Sequence, residues 1–84
     1  MLTIDKLQMY RRFDGDIDGY SRSRVDDRSG ITDEDWRLID ELRQALSIIS
    51  SGRAAPEFAA SVEQRLSSVA VDDQTRQALR ALVT

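Results

Sequence analysis

Between Ile31 and Gly52 the chain reads ITDEDWRLIDELRQALSIISSG, and Trp36, Ile39, Leu42, Leu46 and Ile49 recur there at intervals of three and four. That spacing places them on one face of an α-helix. Leu38, Ala45 and Ile48 broaden the stripe, and so wide a face calls for neighbours on two sides. The start of the helix is also written in the chain. The Thr32 hydroxyl can accept an amide of the first turn, and Asp33, Glu34 and Asp35 follow where the positive end of a helix favours anions. Ile31, just ahead of the cap, can fold back onto Trp36 or a neighbour. Gly52 marks the stop.

Three further segments carry the same period. In the first, Leu7, Tyr10 and Phe13 line one face, widened by Ile4 and Met9, with Thr3 or Asp5 as the cap. In another, Pro56 suits the first helical position because its missing N–H would have been unpaired there, and Phe58, Val62, Leu66 and Val69 form its stripe. The last opens on Asp72 or Asp73 and carries Ala78, Leu79, Leu82 and Val83. Short connections after the long central helix fold successive helices back on one another. The chain is therefore expected to be one all-α domain over residues 1–84: a small antiparallel bundle of four helices, three long and one short. They are placed at about 3–13, 33–51, 56–69 and 73–83, with a long loop over 14–32.

Several chemistries lose their usual residues. Cysteine and histidine are both absent, which removes disulfides, thiolate metal sites and the imidazole that most often carries protons at neutral pH. The many serines have no such base beside them, and Lys6 is the sole lysine, so a non-enzymatic protein without a cofactor is expected. The net charge is −3, and Arg11, Arg12, Arg22, Arg24 and Arg28 are interleaved with Asp14, Asp16, Asp18, Asp26 and Asp27. Nucleic-acid binding depends on a basic face, and this interleaving cancels one. No run approaches the ~20 apolar residues that a membrane span needs. Asp5 and Lys6 interrupt the N-terminal segment, which does not read as a signal peptide, so a cytoplasmic protein is expected.

One stretch invites a metal. Residues 14 to 21 read DGDIDGYS and resemble the first half of an EF-hand loop, with Asp14, Asp16 and Asp18 at ligand positions and Gly19 at the sharp turn. The second half departs from that pattern. Val25 stands where the closing bidentate carboxylate belongs, and Ser21 where an aliphatic residue is usual. The same residues also suit a solvated turn. Asp16 or Asp18 can cap a short helical turn through Tyr20 and Arg24 with Ile17 and Tyr20 as anchors, while Gly15 and Gly19 supply positive φ.

By elimination, the expected role is a small helical interaction module of regulatory, adaptor or inhibitor type. Its partner would be another protein, or a second copy through the edge of the last helix. Tyr and Arg are the types enriched at binding hot spots, which singles out Tyr10, Arg11, Arg12, Tyr20, Arg22 and Arg24. The alternative is a divalent-cation protein that holds calcium through Asp14, Asp16 and Asp18.

Overall fold

Thr3, Thr32 and Asp72 each turn a side-chain oxygen onto amides that a helix leaves unpaired at its start. A computed structural model describes residues 1–23 and 28–83, and all regular structure among them is helical. The helices are α1 (Ile4–Arg12), α2 (Ile17–Ser23), α3 (Asp33–Ser50), α4 (Pro56–Val69) and α5 (Asp73–Ala81).

The cap on α3 is reciprocal. Asp35 N–H donates to Thr32 Oγ1 at 3.2 Å, and Thr32 N–H donates to Asp35 Oδ2 at 3.1 Å. Burial tends to raise the Asp35 pKa, but the bonds from Lys6 and Thr32 outweigh it and hold the carboxyl below its ordinary range. At the start of α5, Asp72 Oδ1 accepts from the amides of Gln74 and Thr75, and Asp72 Oδ2 accepts from the buried Thr75 hydroxyl at 2.9 Å. Pro56 stands in the first turn of α4, where no side chain caps. The chain leaves α3 through Gly52 in the left-handed region, at φ 77°.

The core is a single cluster: Leu2, Leu7, Tyr10, Ile31, Trp36, Ile39, Leu42, Leu46, Val62, Leu66, Ala70 and Leu79. α3 supplies Trp36, Ile39, Leu42 and Leu46, and α1, α4 and α5 all pack against it, while α1 and α5 pack on each other. The molecule is elongated along one axis, with extents of 41 × 22 × 20 Å. Leu2 enters the core ahead of α1, its amide donating to the Val69 carbonyl at 2.7 Å. Arg76 closes the end of α4 by donating to the carbonyls of Ala70 and Val71 and pairing with Asp73. No helix among the described residues is long and apolar enough to cross a membrane.

The expectation of four helices with a long loop over 14–32 is corrected in its helix count, since the short helical turn allowed for in that loop is a helix of its own. Residues 17–23 form α2, so five helices stand among the described residues. Two apolar residues three apart, Ile17 and Tyr20, are enough to lay one short helix against the core, and both are half-buried there.

Candidate interaction surfaces

The DGDIDGYS stretch is a helix end running straight into a helix start. The Gly15 amide donates to the Tyr10 carbonyl at 3.1 Å and the Asp14 amide to the Arg11 carbonyl at 3.0 Å, the paired closure that ends many helices. Asp14 sits in the left-handed region at φ 50°, the conformation that glycine more often takes at this position, followed by Gly15 at φ 78°. Asp residues tolerate it better than most. The Asp16 carbonyl then accepts the Tyr20 amide at 3.0 Å, opening α2.

This leaves the aspartates on different duties. Asp14 closes α1, Asp16 precedes α2, and Asp18 lies in the first turn of α2. Gly19, which an EF-hand would need at its sharp turn, lies inside α2 and does not adopt positive φ. Among the described residues, no group of three or more acidic side chains converges as metal ligands would.

The candidate contact residues divide in the same way. Tyr10 is 1% exposed, and what it shows of itself lines the cleft beside Asp40 and Arg43. Its ring is wedged beside Trp36, with centroids 5.1 Å apart, because the stripe of α1 points inward. Tyr20 is half-buried, stacked on Trp36 at 5.0 Å and edge-on to Phe13 at 5.5 Å. Arg11, Arg12 and Arg22 are exposed. Arg12 lies 5.8 Å over the Phe13 ring, and Arg22 Nε donates to the Asp18 carbonyl at 3.2 Å. Arg24 lies outside the described residues.

A polar cluster that the sequence reading did not anticipate surrounds the Tyr10 hydroxyl. It donates to Asp40 and accepts from Arg43 Nη1 at 3.4 Å. Burial, then the bond to Asp40, push the phenol above its ordinary pKa. The two bonds join α1 to α3. Asp40, Arg43, Gln44 and Ser47, spaced along α3, line an open cleft of about 550 Å³ with Leu82 and Val83 on its other wall. Positions 40 and 43 carried a signal in principle, since they are polar residues facing the Tyr10 side of a helix, but nothing in the spacing says which tyrosine they meet.

The second surface is apolar. Ile48 and Phe58 are large hydrophobic side chains left 46% and 38% exposed. They line one groove of about 280 Å³ between α3 and α4, together with Leu42, Ala45 and Val62. At its rim Arg65 makes a bidentate pair with Glu41, at 2.7 and 3.0 Å. That pair holds the Glu41 carboxyl below its ordinary pKa. Phe58 belongs to the expected stripe of α4, yet Val62 and Leu66 alone reach the buried core. Comparison with protein-family models, with curated proteins and with solved structures found no match.

Proposed function

We propose that this protein is a small non-catalytic module that acts in the cytoplasm by binding another protein, in a regulatory, adaptor or inhibitory role. The observation that carries this reading is the exposure of Ile48 and Phe58 in one groove between α3 and α4. Single exposed hydrophobic residues are ordinary on protein surfaces. Two that share a groove with Leu42, Ala45 and Val62, beside a charged pair, match how grooves accept the apolar face of a helix. Binding through nucleic acid or lipid is not part of the proposal, since the acidic balance of the chain works against both.

The test compares two sets of surface changes in cells producing the full chain. One variant carries Ile48→Glu with Phe58→Ser, the other Arg11→Ala, Arg12→Ala and Arg22→Ala. Proteins captured by cross-linking are quantified against wild type, and self-association is followed by sedimentation. A partner, or a second copy, that is lost only with the first variant supports the groove. Loss only with the second moves the contact to the arginines. An unchanged set with both variants overturns the proposal.

A further inference from the structure

We infer that the cleft beside the Tyr10 hydroxyl binds a small zwitterion with an apolar tail, the chemistry of a free aliphatic amino acid. The site stands apart from the proposed function. The groove with Ile48 and Phe58 lies between α3 and α4, whereas this cleft lies where α3 faces α1 and the residues that follow α5.

Asp40 and Arg43 stand three positions apart on α3, so their side chains emerge on one face as neighbours. Opposite charges placed in this way can close directly on each other. Here the Tyr10 hydroxyl stands between them, donating to Asp40 Oδ1 and accepting from Arg43 Nη1 at 3.4 Å. Gly15 backs this arrangement, so near that a Cβ on it would lie 2.9 Å from the hydroxyl and 3.4 Å from Arg43 Nη1. The ion pairs among the described residues join Lys6 to Asp35, Arg65 to Glu41, Arg76 to Asp73 and Arg80 to Glu63. Neither Asp40 nor Arg43 belongs to one of them.

Each of the two charges therefore keeps bonding capacity to spare. A carboxylate has about four acceptor positions and a guanidinium five N–H donors, and the phenol takes up one of each. No buried side-chain polar atom among the described residues lacks a partner, so the spare positions are not sealed in the core. Both side chains line the cleft, and the spare positions open into it.

The cleft of about 550 Å³ has the size of a small-molecule site. An ammonium can meet Asp40 while a carboxylate meets the unbonded edge of Arg43, whose planar fork accepts two parallel bonds. A ligand with a single charge would leave half of this wall unmatched, and a zwitterion matches both halves at once. Gln44 and Ser47 extend the wall with an amide and a hydroxyl, and Leu82 and Val83 face it with apolar surface. An aliphatic amino acid presents the same division, with its two charges at one end and its tail at the other.

Amide NMR on the full chain tests this with three probes. L-leucine carries both charges, isoamylamine lacks the carboxylate and isocaproate lacks the ammonium. Leucine is expected to give saturable shifts at Asp40, Arg43, Ser47 and Val83, with a Kd no weaker than about 1 mM. Each analogue is expected to bind at least about tenfold more weakly, because it abandons one charged partner. No saturable shift with leucine overturns the inference. Equal binding by either analogue does so too, as do shifts centred on Ile48 and Phe58 instead. Asp40→Asn and Arg43→Gln add a second readout, each expected to weaken leucine binding at least about tenfold while Trp36 fluorescence reports a retained fold. Unchanged affinity in either folded variant overturns the inference, and the probe comparison on wild type decides the matter if a variant does not fold.

Discussion

Across thirty positions of sequence the Tyr10 hydroxyl donates to the Asp40 carboxylate, and this one bond ties α1 to the middle of α3. Gly15 approaches so closely that a Cβ there would lie 2.9 Å from the same hydroxyl. The clamp is therefore enclosed by backbone as well as by charge.

Removing the hydroxyl should be felt. Tyr10→Phe keeps the ring against Trp36 but leaves the half-buried Asp40 without its donor and Arg43 without its acceptor. A loss of about 1–3 kcal/mol is expected from an abandoned polar partner. Asp40→Asn, which still offers an acceptor, should lose less. Urea unfolding followed by Trp36 fluorescence measures both.

The same phenol sets an alkaline limit. Its pKa is raised in the folded state by burial, then by Asp40, so the folded chain keeps the proton longer than the unfolded one. Its contribution to stability is complete below the ordinary tyrosine value near ~10 and is lost as pH rises through the folded value. Thermal unfolding between pH 8 and 11 should fall more steeply for wild type than for Tyr10→Phe. Equal slopes would assign the alkaline loss to other groups.

On the acid side the sign reverses. Asp35, where burial is outweighed by Lys6 and Thr32, and Glu41 and Asp72, held by Arg65 and Thr75, all have lowered values. What they contribute is present above the ordinary carboxylate range, near pH ~4, and disappears as pH falls through the lowered folded values. Thr32→Ala should cost about 1 kcal/mol at neutral pH through the lost cap. It should also flatten the acid slope, as chemical denaturation at pH 7 and pH 3 would show.

Two glycines should respond differently to alanine. Both Gly15 and Gly30 have positive φ, a conformation that costs other residues roughly 1–2 kcal/mol. Gly30→Ala meets open space and should cost about that much. Gly15→Ala also drives a methyl into Tyr10 and Arg43 and should cost about 1 kcal/mol more. Similar losses at the two sites would mean that the clamp moves aside easily.

The exposed groove should separate binding from folding. Ile48→Glu should change stability by no more than about 0.5 kcal/mol, because nearly half of the residue already faces water and the carboxylate can reach it. Leu42→Ala, behind the same groove, should cost about 2–5 kcal/mol. A large loss from Ile48→Glu would mark the groove as structural and make the binding test hard to read.

The helix starts were legible because each is a local matter. Thr32 and Asp72 cap within three residues, and Pro56 fixes its own φ. The stripe from Trp36 to Leu46 was equally plain, since period alone fixes which face is apolar. α2 is legible only as a possible short turn, because two anchors do not make a period. Leu2 has no periodic signal because it precedes its helix, and its place in the core goes with a backbone bond to the distant Val69. The Tyr10–Asp40–Arg43 clamp and the Ile48–Phe58 groove depend on how helices meet, which spacing within one helix does not record. Asp14 is ambiguous for a related reason, as an aspartate at a ligand-like position can equally terminate a helix.

The packing of α1 on α5 has a kinetic consequence. That contact closes a ring through α2, α3 and α4, whose entropy cost exceeds that of joining neighbouring helices although it rises only logarithmically with ring size. Folding speed should be sensitive to this closure. Linking α5 directly to α1 in a circular permutant opened in the 53–55 connection would turn that distant encounter into a neighbourly one.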